Sequence, residues 1–298
     1  MNALKLAEKR HSSREYKHKK LTDEDRRYVN DLLLNIPKIN NANVEFSFVE
    51  DGWDLAPHME GLAGYFGHMI TAPHYFALLC EEGETCHKWV GYLGEWFILN
   101  ALKQSIGSCW IEVKDVPAVK QLLQIDSPKT IAALIAFGYP KKEFHSSSLY
   151  SPSHPNSLSS LTDLGYPNIE AISNEGPISS RKAITEFVDH LKYGDKASLE
   201  ELEQLGLHRA FFYMRLAPSY HNRQPWHFVV HGHAIDLIVE TSEDIPRVIQ
   251  GIDAGIAMLY FQVGLNDAGF GGHWHTDQLE VDYELPQNKR VVAKWVYA

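Results

Sequence analysis

The chain has 298 residues, more than one average domain, and 44% of them are hydrophobic and spread along its length, enough for a sizeable core. A formal charge of −10 argues against a nucleic-acid partner, because phosphate backbones select basic faces. No window reads as long and apolar enough for a membrane span, no signal-peptide core follows Met1, and the three cysteines Cys80, Cys86 and Cys109 suit a reducing compartment, so a cytoplasmic protein without membrane attachment is expected.

In chain order, Lys9-Arg10-His11-Ser12-Ser13-Arg14 and Lys17-His18-Lys19-Lys20 form a basic stretch. On an acidic background it reads as a local site for one small anion. Thr22 before Asp23-Glu24-Asp25 predicts a capped helix with Tyr28, Leu32 and Leu33 as its apolar stripe. Strands are predicted over 46–49, 75–79 and 131–137, then over 228–230, 234–239 and 291–296. Between the two sets, the Ser/Pro/His/Asn-rich stretch 145–157 reads as a connector. That places a boundary near residue 155, with halves 1–155 and 156–298. Each half carries one copy of a diverged pattern. Gly91, Trp96-Phe97, Gly107 and Trp110 recur at a constant offset as Gly255, Tyr260-Phe261, Gly271 and Trp274. Both runs have helical apolar spacing and are expected to end at a glycine stop. Elements alternate without the rhythm of a parallel doubly wound sheet, which predicts an α+β fold of helix-flanked mixed β-sheets.

The stretch Ala217-Pro218-Ser219-Tyr220-His221-Asn222-Arg223-Gln224-Pro225-Trp226 is a stiff loop whose amides and hydroxyls both donate and accept hydrogen bonds. Such an edge suits a flat heterocycle. The loop resembles the flavin-ring loop A-P-S-x-x-N-x-Q-P-W of the nitroreductase family. Arg10-His11-Ser12-Ser13-Arg14-Glu15-Tyr16 resembles that family's R-x-S-x-R motif, and Gly107-Ser108-Cys109-Trp110-Ile111-Glu112 is similar to its G-T-C-W-I segment. Phe137-Gly138-Tyr139-Pro140-Lys141-Lys142 resembles its strand end followed by basic residues.

The resemblance implies a nitroreductase-like fold in two tandem copies forming a pseudo-dimer. It implies bound FMN, NADH or NADPH as reductant, and a nitroaromatic or quinone-like small molecule as electron acceptor. It assigns Arg10 and Ser12, with His11 between them, to the phosphate and ribityl chain, and Lys141 or Lys142 as a further phosphate partner. Arg14 falls at the pyrimidine edge, where a cation stabilises the reduced ring. Main-chain groups of Trp110, Ile111 and Glu112 face flavin N5, and Pro218, Ser219, Tyr220, Asn222 and Gln224 border the ring. Cys109 is expected to be buried. For Tyr220 and His221 a cavity-wall role and a structural role are both open. The complementary motifs fall in different halves, while Arg181-Lys182-Ala183-Ile184-Thr185 and residues 36–44 read as decayed counterparts. One FMN per chain and a monomer are therefore expected. Residues 50–70 and 240–250 depart from the family pattern and leave the substrate open. Flavin binding without turnover is the alternative reading. His231 with His233, and His273 with His275, have no third ligand at a recognised spacing, so no metal is assigned.

Overall fold

The computed structural model describes residues 3–39, 42–141, 181–232, 234–277, 279, 281 and 283–298. The connector, the boundary near 155, Lys142, His233 and the Asn40-Asn41 part of the decayed loop lie outside them.

The first half starts with helices α1 (Ala3–Lys9) and α2 (Asp23–Leu34), the second opening as predicted on Thr22, whose hydroxyl accepts the Asp25 N–H at 3.2 Å. There follow β1 (Glu45–Val49), α3 (Gly52–Met59), β2 (Ala63–Gly64), β3 (His74–Cys80), α4 (Glu84–Ala101), β4 (Gly107–Val113), α5 (Val116–Leu122) and β5 (Thr130–Gly138). The strands form an antiparallel sheet in the order β1-β3-β5-β4-β2. The second half comprises α6 (Ile184–Phe187), β6 (Val188–His190), α7 (Leu199–Gln204), α8 (His208–Met214), β7 (Trp226–His231), β8 (Ala234–Glu240), α9 (Arg247–Asp267), β9 (Gly272–His275) and β10 (Lys289–Tyr297). Its sheet runs β6-β7-β8-β10-β9, with β6 and β7 parallel and the other pairs antiparallel. The orders β1-β3-β5-β4 and β7-β8-β10-β9 correspond, and a long helix follows the second strand of each. The repeat in the sequence is thus a repeat of topology, and each predicted strand is present.

The corresponding helices α4 and α9 pack against each other through glycine. A Cβ on Gly91 would stand 2.1 Å from the Ile252 carbonyl oxygen, and one on Gly255 would stand 1.8 Å from that of Lys88. Gly91 corresponds to Gly255 and Lys88 to Ile252, so the contact is self-complementary, as in a two-fold dimer interface. Around it, one core cluster spans both halves and includes Phe76, Phe97 and Phe137 with Phe211, Phe228, Phe261 and Trp295. A second cluster, with Tyr75, Ile111 and Leu134, lies on the other face of the first sheet.

Three sequence expectations are corrected. The glycine stop does not hold for α4, beyond which the left-handed residue is Ser105, with φ +58°. It holds for α9, which runs through Gly264, where a Cβ would stand 2.7 Å from the Ala210 Cα, and ends at the left-handed Gly269. Cys86 belongs to the first turn of α4, not to a loop, and its thiol hydrogen bond with the free Cys80 is the largest influence on both, raising Cys80 with the help of burial and lowering Cys86 against it. Finally, α9 does have the length and apolar composition to cross a membrane, but it is a core helix, with most of its residues buried inside the protein.

Candidate flavin site

The basic N-terminal segment is tied to the first sheet. The Ser13 N–H bonds the Ser108 carbonyl at 2.8 Å and the Lys17 N–H bonds that of Tyr139 at 2.8 Å, so residues 12–17 run along the ends of β4 and β5. This delivers Arg10 and Ser12 to a cavity between the halves, about 100 Å³ in volume. The first half also contributes Gly64, Tyr65, Phe66 and Cys109 to Glu112, and the second contributes Pro218 to His221 and the α9 residues Ile249, Ile252, Asp253 and Ile256.

Of the residues singled out from the sequence, Arg10, Ser12, Trp110, Ile111, Glu112, Pro218, Ser219 and Tyr220 line this cavity. His11 is exposed and donates through Nδ1 to the Lys9 carbonyl at 3.0 Å. Arg14 is exposed beside the rim, its guanidinium 4.7 Å from the Tyr65 ring centroid and its Nη2 donating to the Tyr65 hydroxyl at 2.8 Å. Lys141 lies off the lining, with Nζ 3.5 Å from the Glu15 carboxylate. Asn222 and Gln224 also lie off it and shape the loop instead.

That loop is held by a dense set of bonds. Gln224 donates its N–H to Ser219 Oγ at 2.9 Å and its side-chain amide to the Asn222 carbonyl at 3.2 Å, and its Oε1 accepts the Lys182 N–H at 2.9 Å. Arg181 donates to the Ala217 carbonyl at 2.7 Å and to Asn222 Oδ1 at 3.1 Å. The segment read as a decayed motif therefore braces the loop. These bonds hold His221, Asn222 and Gln224 at φ of +49°, +55° and +51°, a left-handed conformation that non-glycine residues adopt at a cost and that gathers at functional sites.

Behind the cavity, the fully buried Glu95 of α4 gathers donors from both halves. It accepts Arg10 Nε at 2.8 Å and Nη2 at 3.3 Å, Trp110 Nε1 at 2.7 Å and the Tyr260 hydroxyl at 3.2 Å. Burial acts to lower the Arg10 pKa, but Glu95, with smaller help from Tyr260 and Cys109, carries it above the ordinary arginine value. Arg10 Nη1 donates to Ser12 Oγ at 3.0 Å. At the rim, the His221 ring is sandwiched between Phe66 of the first half, 4.1 Å away, and Tyr220, 3.9 Å away.

Sequence reading missed Tyr65, Phe66, Glu95 and Asp253. The first two lie in the stretch 50–70 that departs from the family pattern. The signal for Glu95 and Asp253 was available: each is a lone carboxylate in the apolar middle of a long helix, a placement that burial normally forbids without a partner or a task. Among the described residues, no group of three or more His, Cys, Asp or Glu side chains is placed to hold a metal.

Two nitroreductase-like halves, fused in one chain and facing each other across a shared cavity, define a fused flavin-oxidoreductase fold. The family model described as "Putative TM nitroreductase" matches residues 2–265, and the chain belongs to that family. In fold it is similar to a putative nitroreductase from Thermotoga maritima, with a TM-score of 0.59 at 17% identity over 99% of this chain and 94% of that one. An FMN-dependent nitroreductase from Clostridium difficile matches 51% of this chain and 98% of its own, with 20% identity and a TM-score of 0.40. A putative NADH oxidase from Clostridium acetobutylicum matches 46% and 89%, with 22% identity and a TM-score of 0.39. No curated protein matches the chain.

Proposed function

We propose that this protein is an FMN-dependent NAD(P)H oxidoreductase of nitroreductase type, holding one FMN between its halves and reducing nitroaromatic or quinone-like acceptors in ping-pong order. The observation that carries this reading is the composite cavity: Arg10, Ser12 and the 109–112 edge come from one half, and the 218–221 loop and α9 from the other. The donor set fits the cofactor. Ile249, Ile252 and Ile256 offer an apolar surface for a flat ring, and Ser219 and the edge of β4 offer polar groups at its rim. Arg10 and Ser12 would hold the phosphate and ribityl end; pairing with Glu95 leaves part of the Arg10 N–H fork available. Arg14, held on Tyr65 beside the rim, would meet the ring's pyrimidine edge. When bound, FMN supplies hydride exchange at N5, first with the nicotinamide and then with the acceptor. The rest of the proposal is a cytoplasmic monomer, with the boundary between halves near residue 155 and the α4–α9 contact standing in for a dimer interface.

The test is anaerobic titration of the FMN-loaded protein with NADH or NADPH, followed by a quinone. Bleaching of the visible flavin absorbance by one nicotinamide and its return on adding quinone is the expected result. Bound FMN that neither nicotinamide bleaches would leave a flavin-binding protein without turnover.

A further inference from the structure

Asp253 is the one carboxylate on the face that α9 turns toward the cavity, set among Ile249, Ile252 and Ile256. Its side chain is buried, and its Oδ1 accepts the Tyr220 N–H at 2.9 Å. This bond fixes the carboxyl at the cavity wall, where the functional loop starts its turn. Tyr220 is held at its other end as well, its hydroxyl donating to Glu112 Oε2 at 3.3 Å.

We propose that Asp253 is the proton donor for the acceptor, giving its carboxyl proton to the acceptor oxygen that gathers negative charge during reduction. The proposal rests on the flavin reading above. For a quinone, the acceptor gains two electrons and one proton as hydride, drawn from NAD(P)H by way of the flavin. The Asp253 O–H breaks, the second O–H of the hydroquinone forms, and the Asp253 carboxylate takes a proton back from water. Burial keeps the carboxyl protonated by holding its pKa up at about 7, against the opposing pull of the Tyr220 N–H and the Arg223 charge. A proton held at such a pKa is both present and transferable at neutral pH. The other charged and titratable groups on the surrounding elements are Arg223, His221 and Tyr220 on the loop, Tyr65 next to β2, Cys109 and Glu112 on β4, Arg10 in the lining, and His87 and Lys88 on α4. None of them is both buried in the α9 wall and directed at the cavity from it, which singles out Asp253.

Asp253→Asn keeps an oxygen for the Tyr220 N–H and has no acidic proton, so stopped-flow measurement of the two half-reactions on the FMN-loaded variant tests the proposal. Flavin reduction by NAD(P)H, which draws no proton from Asp253, should be slowed far less than flavin reoxidation. Reoxidation by 1,4-benzoquinone should slow ~10²-fold or more, and the wild-type decline in that rate as pH rises through about 7 should vanish. An unchanged reoxidation rate with an unchanged pH profile would overturn the proposal. Flavin that no nicotinamide reduces would overturn the reading beneath it instead. Carbon-13 NMR of aspartate-labelled, flavin-free protein gives a second readout independent of turnover. A carboxyl resonance that titrates near 7 and is absent in Asp253→Asn is expected, and titration of that resonance in the ordinary aspartate range would overturn the assignment.

Discussion

Glu95 and Arg10 form a pair removed from water, with side-chain exposures of 0% and 4%. Desolvation makes such a pair costly to assemble and costlier to break on one side only. Glu95→Gln should therefore destabilise the protein by ~3–5 kcal/mol, read as a lower urea midpoint, because it leaves the Arg10 charge buried without its counter-charge. It should also loosen Trp110, whose indole N–H shares the same carboxylate. His74 gives a pH signature in another part of the first half. Burial, with smaller contributions from Lys20 and Arg26, lowers its pKa to about 4, and the neutral ring accepts the Leu21 N–H at 3.1 Å through Nε2. With the folded pKa below the unfolded value of 6.5, the stabilisation is present above pH 6.5 and is lost as pH falls toward 4. The loss should reach at most ~3 kcal/mol. Urea unfolding of wild type and His74→Gln at pH 7 and about pH 4.5 checks this: the gap between the two proteins should change with pH in the direction of a weaker wild type in acid. At this scale the sequence revealed the residues whose types form a motif, such as Ser12 and Ser219. It hid Glu95 and Asp253, because a hydrophobic pattern tolerates one polar interruption and does not say what that interruption faces.

The helices α4 and α9 carry the largest element-level commitment of the fold. Their backbones approach so closely that a methyl group at residue 255 would meet the Lys88 carbonyl oxygen at 1.8 Å. Gly255→Ala should force the helices apart and cost ~1–3 kcal/mol or more, as overpacking of a filled core does. Gly269→Ala, at φ +87° with nothing within 4 Å of its Cβ, should cost less and leave the helix spacing unchanged. Thermal unfolding of the two variants separates close packing from backbone strain. The same pair shows where a glycine stop is legible and where it is not: α9 ends at the left-handed Gly269, and α4 does not end at a glycine. A glycine at the end of an apolar run reads as a stop, but Gly264 is needed for contact with Ala210 of α8. The true left-handed residue after α4 is a serine, Ser105, which sequence reading does not expect there. The well-predicted strands are apolar runs bounded by turn residues. Of the strands not predicted, β2 has two residues, β6 three, and β9 reads Gly-His-Trp-His, too short or too polar for their pattern to stand out, while the seven-residue β4 opens on Gly107-Ser108, which read as the stop of the preceding helix.

The whole molecule is a duplicated unit whose copies have diverged in what covers them. In the first half the outer face of the sheet carries an apolar cluster to which α3 and α5 add Ala56, Met59 and Val119. In the second half the corresponding face carries buried Asp189 and Asp236, paired with His227 at 2.7 Å and His231 at 2.8 Å. The inner faces share one core, so neither half buries its apolar surface alone. Residues 181–298 expressed by themselves should therefore lack the cooperative thermal transition of the full chain, which circular dichroism would show. Divergence also bears on the site. Arg181, at the start of the second half, is engaged with Ala217 and Asn222 of the loop that serves the cavity, while Arg10 lines that cavity. The duplication was legible because glycines and tryptophans recur at the same spacing. The new task of Arg181 was not, since it depends on contacts between segments distant in sequence.

The measurement closest to the claim of one flavin site built from both halves is the amount of FMN released when the purified, FMN-reconstituted protein is denatured. One FMN per chain is predicted. Two per chain would mean that the second half has kept a working site, and no FMN after reconstitution would contradict the assignment of the cavity to a flavin.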